Sequence, residues 1–119
     1  MVDGHGDVSS LRELWADIGN LKVRYLDWGG DGQPLLALHG LASSAHWYDI
    51  LAPLLRDRYH IYAPDQRGHG QTTSAPDGYD WKTLSDDMVG LMDHIGLDQM
   101  AVMGHSWGGN VATNLAANA

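Results

Sequence analysis

The chain of 119 residues contains no cysteine and no phenylalanine, and basic residues are scarce. Without cysteine there is no disulfide framework, no thiolate nucleophile and no thiolate metal ligand. Seven Lys and Arg against fifteen Asp and Glu leave a net charge of −8, which opposes binding to nucleic acid or to an anionic membrane. These absences disfavour nucleic acid and anionic membranes as partners and exclude thiol chemistry.

Long hydrophobic runs are also missing, since none approaches the roughly 20 residues that a membrane-spanning helix needs. The first ten residues are polar and glycine-rich and lack the apolar core of a signal peptide. We therefore expect a disordered N-terminus at 1–10, one domain over 11–119 and a cytoplasmic location. No His or Asp pair has convincing metal-ligand spacing, so we expect neither a metal nor another cofactor.

Short apolar runs alternate with helical patterns after residue 10. They predict strands at 11–17, 21–28, 35–38, 60–63 and 100–103, and helices at 45–57, 81–95 and 108–119. The strand at 21–28 alternates, which predicts burial of one face and exposure of Lys22 and Arg24. The wholly apolar runs at 35–38 and 100–103 predict strands buried on both faces. Asp80 and Gly96 are expected to cap the helix at 81–95.

The helix predicted at 45–57 has an apolar stripe that should face the core, formed by Trp47, Ile50, Leu51, Leu54 and Leu55. Pro53 falls inside this stripe, so we expect either a kink or a helix that starts near residue 52.

Strands that alternate with helices predict an α/β fold with a mostly parallel sheet and helices on both faces. In such sheets the functional groups lie at the C-terminal ends of the strands. Here those ends carry His39-Gly40, Asp65 and Ser106. The fold therefore predicts an active site at this edge of the sheet.

Ser106 lies between an apolar strand and a helix, in the sequence Gly104-His105-Ser106-Trp107-Gly108. A sharp turn with glycine two residues to either side would expose the hydroxyl as a nucleophile. The Trp107 N–H, at the helix start, and the Leu41 N–H, after His39-Gly40, could stabilise an oxyanion. Two plainer interpretations stay open: Ser106 as the cap of a glycine-rich turn, and His39 as a side chain that only shapes its loop.

Three motifs together resemble the N-terminal half of an α/β-hydrolase-fold protein of the serine-esterase type: Leu38-His39-Gly40, Asp65-Gln66-Arg67-Gly68-His69-Gly70 and Gly104-His105-Ser106-Trp107-Gly108-Gly109. The resemblance implies that Ser106 is the nucleophile and that Leu41 and Trp107 form the oxyanion hole. The supporting residues it implies are His39, Gly40, Gly104, His105 and Gly108. It implies an ester-like acyl substrate and a mainly structural loop after Asp65.

The resemblance has one large departure, because the family's acid and histidine follow the serine on later strands and nothing here matches them. A base could come from His39, His46 or His69, or from another chain. The alternative is a truncated or engineered half-domain with little catalysis, which forms a homodimer or a domain-swapped oligomer through 99–104 or needs a complementing chain. Relatives that cleave epoxides or carbon–halogen bonds carry an aspartate nucleophile at the position of Ser106. The serine in this chain therefore argues against that chemistry here.

Charged residues around the helix at 81–95 have an ordinary interpretation. The aspartates Asp80, Asp86, Asp87, Asp93 and Asp98 are expected to form a solvated surface. Arg67 is expected to pair with the nearby Asp65 and to fix their loop.

Overall fold

The computed structural model describes residues 11–118, so the disorder predicted at 1–10 lies outside the described residues. The strands are β1 Arg12–Ile18, β2 Leu21–Gly29, β3 Gln33–Leu38, β4 Tyr59–Pro64 and β5 Ala101–Gly104. The helices are a 3₁₀ helix at Ala45–Tyr48, α1 Leu51–Leu55, α2 Trp81–Ile95 and α3 Trp107–Asn118. Each predicted strand is present with small shifts of its bounds.

The five strands form one sheet in the order β1-β2-β4-β3-β5. Strands β4, β3 and β5 are parallel, and β2 and β1 extend the sheet in antiparallel pairing. The predicted α/β class is therefore confirmed. Because the three parallel strands end at one edge, the loops that begin at His39, Asp65 and His105 lie side by side.

Helices cover both faces of the sheet. On one face, α2 and α3 pack against Leu36 and Leu38 of β3. On the other face, the 3₁₀ helix and α1 pack against Leu35 and Ala37. The four apolar residues of β3 thus alternate between two cores and are all buried, as the uninterrupted run predicts.

For the helix predicted at 45–57, the expected late start is close to the observed one, but the predicted buried face is wrong. Residues 49 and 50 interrupt it, and α1 begins at Leu51, close to the expected late start. The buried residues are Ala45, Tyr48 and Ala52, whereas most of the predicted stripe is exposed: Trp47, Ile50, Leu51 and Leu54. The period of 3.6 does not continue through a 3₁₀ turn, and the small alanines let the segment lie close to the sheet.

Two strands differ from their predicted burial. Arg24 of β2 is buried rather than exposed, because it lies between β1 and β4 and finds acidic partners there. Strand β5 is only half-buried, because it is the outermost strand of the described sheet.

Helix α2 is capped as predicted. The Asp80 carboxylate accepts a hydrogen bond from Thr83 N at 3.1 Å, and Gly96 ends the helix with φ +90°. None of the helices within residues 11–118 is long and apolar enough to cross a membrane.

Candidate active site

Ser106 occupies the single turn between the end of β5 and the start of α3. Its φ is +56°, in the left-handed region that a residue with a side chain rarely adopts. The residue is exposed at the sheet edge. A serine held in this conformation is typical of a functional turn, since such strain persists only where the surroundings impose it.

The glycines around Ser106 allow backbone to approach backbone. A Cβ on Gly104 would lie 2.3 Å from the Gly108 carbonyl oxygen, and a Cβ on Gly108 would lie 2.4 Å from the His39 carbonyl oxygen. Real Cβ atoms do not come so close to backbone, so both positions require glycine. A Cβ on Gly40 would be 3.5 Å from the Ser106 Cβ. The loop after β3 therefore lies directly against the serine.

Two backbone N–H groups next to Ser106 have no acceptor among residues 11–118. Leu41 follows Gly40, and its N–H donates to no described atom. Trp107 is the first residue of α3, so its N–H has no intrahelical acceptor. The helix start adds a partial positive charge at the same place. Both N–H groups could therefore donate to an acceptor that is not among residues 11–118.

His39 is buried and hydrogen-bonded through both ring nitrogens. Nδ1 donates to the Gly40 carbonyl at 2.7 Å, and Nε2 accepts from Gln66 N at 2.9 Å. The Gln66 amide returns a bond of 2.8 Å to the His39 carbonyl. Burial lowers the pKa of His39 to about 4, so the ring is neutral near pH 7. This geometry favours the loop-shaping interpretation, because no ring nitrogen is left to accept the Ser106 proton.

The Leu38 carbonyl joins the two loops of the site. It accepts a hydrogen bond from Tyr48 Oη at 2.7 Å and another from His105 N at 3.0 Å. Burial raises the pKa of Tyr48 to about 12, which keeps its hydroxyl protonated as a donor. One oxygen thus fixes the end of β3 to the serine turn.

The other candidate bases do not bond to Ser106. His46 pairs with Asp49 on the surface, and His69 Nδ1 donates to the Arg67 carbonyl. His105 stacks on Trp47 with ring centroids 4.3 Å apart. No side chain within residues 11–118 forms a hydrogen bond with the Ser106 hydroxyl. A base for this serine is therefore not assembled by the described part of the chain.

Aromatic rings flank the serine turn. The Trp107 ring lies 5.1 Å from the His69 ring and 5.9 Å from the Trp81 ring. Trp81 is at the start of α2 and is partly exposed. The three rings thus form one cluster, and Trp107 directly follows Ser106 in the chain.

The carboxylates near the site have structural roles. Asp65 is fully buried and pairs with Arg24, not with Arg67. Arg67 instead binds the Asp87 carboxylate at 2.9 and 3.0 Å, so Asp87 is not part of a solvated surface. Burial raises the pKa of Asp87, which the ion pair with Arg67 opposes. The prediction of an Asp65–Arg67 pair was wrong because chain proximity does not determine which way a side chain points.

The Arg67–Asp87 pair also lines a groove of about 530 Å³ between the β1–β2 turn and the start of α2. This groove shares none of its lining residues with the serine turn. No cluster of three or more metal-ligating side chains occurs within the described residues.

Sequence reasoning missed the Trp47–His105 stack and the Arg24–Asp65 pair. A charged residue inside a strand pattern was an available signal for Arg24, since a buried charge needs a partner. The stack gives no such signal, because the sequence does not show that these two rings meet.

The sequence of this chain is similar to a known protein family and to several characterised proteins. A family model described as the alpha/beta hydrolase fold matches residues 33–119. The soluble epoxide hydrolase of Corynebacterium sp. (strain C12) is 36% identical over 97 residues, which cover 82% of this chain and 34% of that protein. The non-heme chloroperoxidase of Kitasatospora aureofaciens is 36% identical over 90 residues, covering 75% and 32%.

Solved structures agree with these sequence matches. The structure of an epoxide hydrolase, CorEH, without ligand superposes with a TM-score of 0.85 at 34% identity, covering 89% of this chain and 37% of that one. A membrane phospholipase A gives a TM-score of 0.88 at 28% identity, covering 95% and 37%. The chain spans about a third of the length of the curated relatives that it matches.

Proposed function

Because this chain belongs to the alpha/beta hydrolase fold family, we propose that it is a serine hydrolase for esters or similar acyl compounds, with Ser106 as the nucleophile. The observation that carries the proposal is a serine with φ +56° at the end of a parallel strand, beside two backbone N–H groups that have no acceptor among residues 11–118. Its small-molecule partner is an ester-like substrate.

In the proposed reaction, Ser106 Oγ attacks the substrate carbonyl carbon and its proton passes to a base. The carbonyl oxygen becomes an oxyanion that accepts hydrogen bonds from the Leu41 and Trp107 N–H groups. The alcohol leaves with the proton, and water then cleaves the acyl-enzyme. His39 is engaged elsewhere, so we place the base on a segment outside residues 11–118 or on a second copy of this chain.

The nucleophile distinguishes this proposal from the chemistry named for some relatives. These include epoxide hydrolases and a fluoroacetate dehalogenase of Burkholderia sp. Attack by Ser106 on an epoxide or a carbon–halogen bond would form a serine ether. An ether has no carbonyl carbon for water to attack, so the enzyme would not turn over. Acyl transfer leaves an ester that water can cleave.

The test is hydrolysis of p-nitrophenyl acetate by the full chain and by its Ser106→Ala variant. Ser74→Ala is the matched control, because Ser74 is an exposed serine outside the site. The proposal expects turnover that Ser106→Ala abolishes and Ser74→Ala preserves. Equal rates in all three proteins would overturn it, as would Ser106-dependent opening of styrene oxide.

A second candidate follows from β5. This strand is the outer member of the described sheet, and its residues are half-buried or exposed. An outer strand presents unpaired N–H and C=O groups on which a second strand can add. The second candidate is therefore a half-domain that self-associates through 99–104, or that a complementing chain completes, with little catalysis of its own.

Sedimentation velocity over a range of micromolar concentrations tests this pairing. Self-association predicts a shift from monomer to dimer as the concentration rises. A single monomeric species at every concentration would contradict it. The half-domain candidate further expects slow ester hydrolysis that Ser106→Ala leaves unchanged.

A further inference from the structure

The rings of Trp47 and His105 stack beside the serine turn, with centroids 4.3 Å apart and planes 23° apart. Trp47 follows the loop that carries Leu41, and His105 directly precedes Ser106. Both side chains are exposed and neither belongs to the buried cores. The contact therefore bridges two loops at the surface and adds nothing to the core of the fold.

The backbone on either side of Trp47 is anchored to the rest of the fold. Its neighbours Ala45 and Tyr48 are buried, and Ala45 N donates to Asp65 Oδ1 at 2.8 Å. Tyr48 Oη donates to the Leu38 carbonyl at 2.7 Å. The backbone that carries the Trp47 indole is thus fixed relative to the sheet, and the indole itself contacts the His105 ring.

The loop between β3 and the 3₁₀ helix is held at Gly40, whose carbonyl accepts from His39 Nδ1 at 2.7 Å and from Ser43 N at 3.2 Å, and Leu41 and Ala42 lie between these contacts. Leu41 and Ala42 are exposed, and Ala42 has φ +62°. A Cβ on Gly40 would lie 3.2 Å from His105 Nδ1, so the His105 ring edge packs against this loop. A strained and exposed loop keeps one conformation only when neighbouring groups impose it.

We propose that the Trp47–His105 stack is a positioning pair, which fixes the Leu41 N–H relative to Ser106 and the Trp107 N–H. The proposal rests on the proposed acyl-transfer function. Neither ring touches the reacting atoms; they act through the backbone of the two loops. Loss of either ring lets the oxyanion-binding loop move, while Ser106 and the core remain.

Kinetics with p-nitrophenyl acetate provide the first test, with kcat and KM measured separately. Trp47→Ala should lower kcat about tenfold to a hundredfold with a smaller change in KM, because a misplaced donor loses transition-state stabilisation. Trp47→Phe and His105→Phe keep a stacked ring and should retain most of kcat. Trp15→Ala is the control, since it removes a partly exposed indole on β1 at the other edge of the sheet.

The second test does not depend on activity. In ¹⁵N–¹H spectra of the 13.0 kDa chain, the Leu41 and Trp107 amide signals should move or broaden in Trp47→Ala and return in Trp47→Phe. The signal of Leu91, in the α2 core, should stay in place. Unchanged Leu41 and Trp107 signals in Trp47→Ala would overturn the positioning role, as would equal loss of kcat in Trp47→Ala and Trp47→Phe.

The spectra also separate the two proposals. If the full chain shows no Ser106-dependent turnover while the Leu41 and Trp107 signals respond as expected, the acyl-transfer proposal fails and the stack still fixes the loop. If turnover depends on Ser106 and the signals do not respond, only the positioning role fails.

Discussion

Arg24 donates through Nε to Asp65 across 2.7 Å, and the Asp65 N–H donates to the Arg24 carbonyl at 2.9 Å. Burial alone would lower the pKa of Arg24, but its ion pairs with Asp65 and Glu13 raise it. The Asp65 carboxylate also accepts from Ala45 N and Gln71 N, both at 2.8 Å. One buried carboxylate therefore connects β2, the loop after β4 and the 3₁₀ helix beside the serine turn.

Asp65→Asn should destabilise the chain by about 3 kcal/mol, because it leaves the buried Arg24 guanidinium with only the exposed Glu13 as an ionic partner. Urea unfolding measures the loss. Asp86→Asn is the control, since Asp86 pairs with the fully exposed Lys82 on the surface of α2 and its loss should cost much less. Similar losses in the two variants would contradict a structural role for the buried pair.

Gly108→Ala should prevent the serine turn from forming, whereas Gly109→Ala should be tolerated. A Cβ at Gly108 would lie 2.4 Å from the His39 carbonyl oxygen and 2.5 Å from that of Leu38, and backbone cannot move aside cheaply. The nearest atom to a Cβ at Gly109 is 3.6 Å away, and alanine is about 0.5–1 kcal/mol better than glycine inside a helix. Melting temperatures that fall equally in both variants would contradict this contrast.

Ser106→Gly should be more stable than Ser106→Ala, although neither has the nucleophile. Alanine keeps the strain of φ +56°, which glycine relieves. The left-handed conformation costs about 1–2 kcal/mol, and the extra freedom of unfolded glycine offsets part of this. We expect a difference of about 1 kcal/mol in the free energy of unfolding. Equal stability would mean that the turn at Ser106 relaxes in solution.

The parts of this fold that depend on local pattern could be predicted from the sequence. The run at 35–38 predicted a strand buried on both faces, because only such a strand uses four apolar residues in succession. The glycines at 104 and 108 predicted a tight turn at Ser106, because a close approach of backbone to backbone requires glycine at positions near the turn. Both features are local, because each depends on residues that are close together in the sequence.

The parts that depend on tertiary contact could not be predicted in this way. The apolar period at 45–57 predicted a buried stripe that includes Trp47, but the segment up to Tyr48 is a 3₁₀ helix with a different period, and Trp47 is exposed. Asp65 pairs with Arg24 on β2 and not with its sequence neighbour Arg67, because the pairing of β2 with β4 brings Arg24 next to Asp65. Periodicity contains no information about which strands become neighbours.

The stability of the chain should fall as the pH is lowered from about 6.5 to about 4, because of His39. Burial lowers its folded pKa to about 4 from an ordinary value of 6.5. Between these values the unfolded state binds a proton that the folded state does not, so the free energy of unfolding decreases as the pH falls. The full effect is on the order of 3 kcal/mol, since each pKa unit corresponds to about 1.4 kcal/mol.

Comparison with His39→Gln isolates this contribution. The variant should be less stable at pH 7, because one glutamine amide does not reproduce both ring hydrogen bonds of His39, and its profile should be flatter between pH 6.5 and 4. The raised pKa of Asp87 stabilises the folded state as the pH falls, which opposes the effect of His39. Because Asp87 is present in both proteins, its contribution cancels in the comparison. The pKa of Asp27 is lowered: burial opposes the lowering, but hydrogen bonds from Gly29, Arg12 and His60 outweigh it. Asp27 therefore affects stability only below about pH 4, outside the range compared here. Parallel profiles for the two proteins would mean that His39 becomes protonated in the folded state and that its loop opens.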